Sequence, residues 1–443
     1  MNGLVIQGGH VVDPANAVDA QRDVFISRGK IAAVGRKPRG LTVSRRIDAR
    51  GLLVLPGIID LCARFPPPGA PGAPGNSQRA GFESEARAAV AGGITRMVCP
   101  PDTTPVVDTP AMVRMLCERA GAGNATGLAR VHPLGALTVN LDGARLTDMA
   151  LLMDAGCVGL SNGLRAVENT LVMRRAMQYA STYDLTVFVT PRDPWLHGNG
   201  VVHEGEVSAR LGLPAIPEAA ETVGVARDLA LIETSGARAH FHLLSSARAV
   251  EMVAEARARG LPVTASVAIH HLHLNESHIG AFDARYKVFP PLRTARDQRA
   301  LVRGVGGGVI SAICSDHQPH GADAKLAPFA EAAPGVAGLD TLLTKTMQLV
   351  AQGALPRVTA VAALTANPAA VIGVDAGHLG PGAPADVCLF DPSAEWQMTA
   401  PAMQSEGKNS PWRDQTMTGR VTGACVDGKY KSREESRVAV TGA

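Results

Sequence analysis

The sequence predicts an α/β protein: a TIM-type (β/α)8 barrel carrying a small β-sandwich assembled from both chain termini. Three observations predict it. Buried apolar runs alternate with amphipathic helical stretches through the middle of the chain. Both ends instead show short strand-like runs broken at glycine turns. No GxGxxG turn follows the first buried strand, which sets aside the doubly wound open sheet as the runner-up. The expected division is residues 1–54 and 381–443 in the sandwich and 55–380 in the barrel.

The N-terminal runs are Leu4–Val12 and Val24–Gly35, and Ala385–Asp391 and Arg420–Lys429 repeat their texture near the other end. Barrel strands are expected at Leu53–Asp60, Ile94–Cys99, Val131–Leu137, Cys157–Ser161, Thr186–Thr190, Ala239–Leu244, Val263–Ala268 and Val309–Ser315. Helices fit between them, among them Ser77–Ala91, Asn169–Thr182, Ser246–Arg259 and Thr294–Val305. In such a barrel the chemistry sits at the C-terminal strand ends.

Bulk properties narrow the function. A chain of 443 residues holds a large core and a second small domain. A formal charge of +3 argues against a nucleic-acid surface. No apolar run reaches the roughly 18 residues of a membrane span, and no signal-peptide pattern follows Met1, so a cytoplasmic protein is expected. The seven cysteines are scattered without a CxxC pair, which suits reduced thiols. Aromatics are only 4%, so small aliphatic residues must build the core.

Several segments together carry a resemblance. They are Leu55-Pro56-Gly57-Ile58-Ile59-Asp60, Gly92-Gly93-Ile94-Thr95, the run from Glu204 to Pro214, Lys287–Arg293, Ser315-Asp316-His317-Gln318-Pro319-His320, and Gly382–Val387. On these the chain resembles dihydroorotase of the longer bacterial type, within the amidohydrolase superfamily. The resemblance implies a barrel plus composite sandwich. It also implies descent from an enzyme that closes N-carbamoyl-aspartate to dihydroorotate over one or two zinc ions. Such a site needs imidazoles and carboxylates to fix the metal, a metal-activated water and an arginine gripping the substrate carboxylate.

Position by position, those groups are replaced. The paired metal histidines after the first strand fall on Cys62 and Arg64, and the substrate arginine on Pro66. The bridging aspartate of the fourth strand falls on Asn162. The histidines of the fifth and sixth strands fall on Thr190 and Leu243, and two substrate asparagines on Asp102 and Phe289. Asp316 and His320 remain, and they read as remnants held at the rim by local hydrogen bonds. A four-ligand zinc site is worth roughly 10–16 kcal/mol, so one carboxylate keeps about a quarter of that, near millimolar affinity. Asp316 alone would supply general-base help of roughly 10²–10⁴-fold, short of the roughly 10⁶-fold expected of an enzyme. No catalytic residue, metal or cofactor is therefore expected.

Other groups offer sharper readings. His242 or His240 would replace a lost ligand, but strand alternation turns His242 to the helices if Leu243 faces the interior, unless a bulge re-aims it. His270-His271-Leu272-His273 has the look of a metal cluster, against the plainer reading of a loop after the seventh strand. Cys62 would be a nucleophile if Arg64 lowered its pKa, against a small side chain filling a vacated pocket. The stretch 65–75, rich in proline and glycine, suits either a docking element or a surface linker. The charged tail from Lys429 reads as a solvated end.

Two functions follow, beside a third reading as a metal-free binding protein that keeps a small anionic ligand near Arg64. By resemblance, the first is a catalytically inactive dihydroorotase homologue serving as an assembly subunit for the catalytic chain of aspartate transcarbamoylase, in a hetero-oligomer of pyrimidine synthesis. The second is an active zinc-dependent dihydroorotase or related cyclic amidase, using Asp316, His320 and some of His242, His271 and His273.

Overall fold

The computed structural model describes residues 2–65, 78–124, 127–433 and 435. Eight parallel strands form the barrel, numbered here β1 (Ile58–Asp60), β2 (Ile94–Cys99), β3 (Arg130–Pro133, continued by Gly135–Ala136), β4 (Leu160–Ser161), β5 (Val187–Val189), β6 (Ala239–Phe241), β7 (Val263–Ala268) and β8 (Ala312–Cys314). Neighbours pair in sequence order. A bridge between Ala63 and His317, just past β1 and β8, closes the ring. Inside lie Ile59, Val98, Leu134, Phe188 and Cys314. Outward-facing Ile58, Met97, Val187 and Phe241 join the layer packed on the helices. Strands buried on both faces read as continuous apolar runs, which is why the sequence shows them.

Most strands are shorter than expected; β6 ends early at the mouth, whereas β4 and β8 start late at the opposite end. The helices start where their caps dictate. Asn169 accepts from Leu171 N at 2.9 Å ahead of Thr170–Thr182, and Ser246 from Ala249 N at 3.2 Å ahead of Ala247–Ala258. Thr294 and Asp297 form a reciprocal capping box at Ala295–Gly306.

The expected strand Leu53–Asp60 is two strands. Leu53–Pro56 belongs to a terminal sheet and pairs with Val387–Phe390, while β1 begins at Ile58. Gly57 makes the transition, since a Cβ there would collide with the Thr95 side chain. Two sheets form the terminal part. One orders Lys30–Val34, Val24–Ser27, Asn2–Gln7 and Thr42–Asp48. The other orders Lys429–Ser432, Thr416–Val426, Val387–Gln397, Leu53–Pro56, His10–Asp13 and Val18–Gln21. Leu4, Ile6, Val11, Val54 and Leu389 pack between the sheets. The other face of the larger sheet, with Leu55, Cys388 and Phe390, packs on the barrel side.

A buried ionic cluster ties sandwich to barrel. Asp386 Oδ2 accepts from Arg96 Nε at 3.1 Å and Arg130 Nη1 at 3.0 Å, and Arg130 also pairs with Asp427. Between the two long C-terminal strands the chain leaves the sheet and crosses to the mouth, where Asn409 Nδ2 donates to Gln318 O and Gly335 O. Among the described residues no helix is long and apolar enough to cross a membrane.

Candidate functional site

The mouth is organised by Cys62-Ala63-Arg64. Ala63 N donates to Val98 O at 2.9 Å, Arg64 N to His317 O at 2.8 Å, and His317 N to Cys62 O at 3.1 Å. The backbone of Arg64 is thus fixed between the ends of β2 and β8. Its guanidinium Nη1 donates to Asp316 Oδ1 at 3.1 Å and to Cys62 Sγ at 3.4 Å. Nε lies 3.2 and 3.1 Å from the two oxygens of Asp102, and Nη2 lies 3.1 Å from Oδ2. One cation therefore clasps two carboxylates, in the planar fork geometry that arginine suits. Gly163 at φ +61° lets Asp102 approach, since its Cβ would stand 3.0 Å from Asp102 Oδ2.

Burial opposes the Arg64 charge, but Asp102, Cys62 and Asp316 outweigh it and hold the guanidinium firmly protonated. Asp316 is fully buried rather than at the rim. Burial lifts its carboxyl above the usual range while Arg64, Gln318 and Cys62 pull back. Its Oδ1 also accepts from Gln318 Nε2 at 3.1 Å, and Oδ2 has no partner. Asp316 sits at φ +45° and Leu243 at +60°, both in the left-handed region. For leucine that conformation costs about 1–2 kcal/mol.

The expectation that His242 turns to the helices is overturned. The ladder ends at Phe241, and the left-handed Leu243 breaks the alternation, so both 242 and 243 reach the interior. His242 Nδ1 pairs with Ser266 Oγ at 2.9 Å, and its ring lies 6.1 Å from Phe188. Burial first, then His240 and Arg64, press its pKa well down. Cys62 is no activated thiol: burial pushes it up far more than Arg64 lowers it.

The other positions scatter. Asn162 is tied off locally, accepting from Thr138 Oγ1 at 2.8 Å and donating to Leu141 O and Arg165 O. Thr190 is half-buried just past β5, and Leu243 is core. Phe289 forms an aromatic contact with His197 at 5.3 Å and carries Arg192 4.9 Å from its ring centre. His320 Nε2 lies 2.8 Å from Pro334 O. Pro66 and the rest of the stretch 66–75 lie outside the described residues.

A divalent metal does not fit this donor set. Cys62 Sγ donates to Asp316 Oδ1 at 3.4 Å, and the Arg64 guanidinium that touches both repels a cation. Among the described residues no three His, Cys, Asp or Glu groups are placed to hold one ion. The His270–His273 segment is the short helix Ile269–His273. His271 Nε2 contacts Pro290 O at 3.1 Å and His273 Nε2 contacts Lys345 O at 3.0 Å, so those nitrogens serve the backbone.

Some members went unread in the sequence. Asp60, buried, accepts from Ser315 N at 2.9 Å, Cys62 N at 3.2 Å and the Ser315 hydroxyl. Burial raises it to about 6 against those bonds. His317 pairs with Glu85 at 3.1 Å, both fully buried. Asp60, Ser315 and His317 stood inside the motifs that carry the resemblance, and only the fold shows them joined. Beside Arg64, Asp102, Gln318 and His320 opens a cavity of about 280 Å3 floored by Met112 and Leu116.

The barrel with its appended sandwich is a fold shared with solved structures. An L-hydantoinase from Arthrobacter aurescens superposes with TM-score 0.83 at 22% identity, over 97% of this chain and 96% of that one. A D-hydantoinase gives 0.78 over 99% and 98%. The profile of the Dihydro-orotase-like family matches residues 51–249, and that of the Amidohydrolase family matches 229–429. A dihydroorotase-like protein of Pseudomonas aeruginosa is 45% identical over 96% of this chain and 98% of its own. A protein named dihydroorotase from Anaeromyxobacter dehalogenans is 42% identical over 97% and 98%. The chain belongs to the dihydroorotase-like family of the amidohydrolase superfamily.

Proposed function

We propose that this chain is a non-catalytic dihydroorotase-like subunit, and that it serves the assembly of aspartate transcarbamoylase. One observation supports the non-catalytic reading. The Arg64 guanidinium is bonded to Asp316 and Cys62, two positions that the resemblance assigns to the metal site. A fixed positive charge there removes both the Lewis acid and the activated water that amide chemistry of this class uses. A barrel retained without its reacting groups keeps its surfaces, which favours an interaction role. The transferase as partner comes from the resemblance alone.

The experiment is co-expression with the aspartate transcarbamoylase catalytic chain of the same organism. The two should co-purify, and the transferase should need this chain for full activity. A transferase that assembles and works fully alone removes the proposal.

A second reading is an active dihydroorotase or cyclic amidase with a rearranged site. It is favoured by the relative named dihydroorotase at 42% identity and by the unpartnered His242 Nε2 and Asp316 Oδ2 in the mouth. Stoichiometric zinc retained after dialysis, together with ring opening of dihydroorotate, would establish it.

A further inference from the structure

The chain carries only +3 overall, yet residues 1–54 hold nine lysines and arginines against four acids. Four of those arginines gather on one patch. Arg22 follows the strand Val18–Gln21, Arg36 follows Lys30–Val34, Arg46 lies in Thr42–Asp48 and Arg50 comes just after it. They rim two adjoining depressions that share Gly8, Gln21 and Asp23, and all four are exposed.

The floor is rigid. Gly8 N donates to Asp23 Oδ1 at 2.9 Å, Arg22 N to Gly9 O at 3.1 Å, Gly35 N to Asp23 O at 2.7 Å and Ala49 N to Gln7 O at 2.9 Å. Gly8, at φ +77°, lets the Arg50 stem lie across this turn, since a Cβ would come 2.8 Å from Arg50 Cγ. Arg50 is paired with Asp48. Arg22, Arg36 and Arg46 make no ion pair among the described residues; Arg22 reaches only the Gln21 carbonyl, at 3.2 Å. Three guanidiniums without an ion pair, against the single Asp23 carboxylate shared by both depressions, leave the groove with an excess of positive charge open to arriving carboxylates. Arginine forks suit carboxylates in pairs, and such a field steers an oppositely charged partner.

We infer that this arginine-rimmed groove is a docking surface for an acidic face of a protein partner. Nucleic acid fits less well. No aromatic ring lines the groove for base stacking. The inference deepens the assembly role proposed above, and rests on it for the partner's identity but not for the groove's chemistry.

The test uses the full chain and the triple variant Arg22→Glu/Arg36→Glu/Arg46→Glu, with the matching Arg→Gln triple as a milder control. The first probe is a fluorescent polyglutamate peptide and the second a single-stranded oligonucleotide of equal charge, both read by anisotropy at low and high salt. The peptide should bind the wild type, weaken with salt, and lose at least about tenfold in affinity in both triples. Melting temperatures should stay unchanged. Absent peptide binding, peptide binding indifferent to the triples, or tighter oligonucleotide binding overturns the inference. The third probe is the co-expressed transferase chain. A complex that forms equally well with both triples overturns the groove and leaves the assembly role standing. Peptide binding lost in the triples, with a transferase that never associates, supports the groove and removes the assembly role.

Discussion

Arg64 Nη1 lies 3.1 Å from Asp316 Oδ1, across 252 residues of sequence, inside a barrel mouth where Asp316 has no solvent exposure. A buried acid just past β8 is thereby paired with a cation of the same protein.

Removing that cation should strand a buried charge. Arg64→Ala is expected to cost about 3–5 kcal/mol of stability, the usual penalty for breaking a buried pair from one side. Asp316 already titrates above the usual carboxylate range through burial, and losing Arg64 raises it further. A carboxyl with a raised folded pKa favours the fold at low pH, and that contribution is lost as pH rises through it. Denaturant melts should therefore show a larger loss for Arg64→Ala at pH 8 than at pH 5. A loss independent of pH would contradict this.

Asp60 titrates near 6 in the fold through burial, above its unfolded value. Its contribution is fully present below the unfolded pKa and disappears as pH climbs through 6. Asp60→Asn keeps an acceptor for the Ser315 and Cys62 amides, and Ser315 Oγ also lies 3.2 Å from Cys62 O as an alternative acceptor. Relative to wild type, Asp60→Asn should gain on the order of 2 kcal/mol between pH 4 and pH 7. Paired chemical denaturation across that range measures it, and the difference cancels the buried histidines common to both proteins.

Restoring the family pattern should restore affinity for an ion. In Cys62→His/Arg64→His the repelling guanidinium is gone and two imidazoles face Asp316. Zinc retained after dialysis, counted by mass spectrometry, should rise at least about tenfold over the wild type. Equal retention in both proteins would show that Arg64 does not occupy the family's metal position.

Thiol chemistry should be quiet. Six of the seven cysteines are buried and Cys117 is half-buried. Burial first of all pushes Cys99, Cys157 and Cys388 far up, and it dominates at Cys62 despite Arg64. A thiol reagent should modify at most Cys117 quickly in the native protein and all seven after unfolding. Fast labelling of Cys62 would revive it as a nucleophile.

The barrel was legible because its strands are buried on both faces, and Val263–Ala268 runs the full length its apolar pattern marks. Leu53–Asp60 misled because both halves are apolar; only the steric need at Gly57 separates them. Periodicity assigned the wrong face to His242 because it assumes a ladder running on through Leu243, where the backbone turns left-handed instead. Arg64 was visible in the sequence as a charge in an odd place. Its clasp on Asp102, 38 residues away, and the Asp60–Ser315 bond, 255 residues apart, depend on which strand ends converge, and no local pattern encodes that.

A cation attached by its own backbone cannot be stripped by a chelator and does not wait on cellular zinc supply. The mouth of this barrel should hold its shape equally in EDTA and in metal-rich buffer.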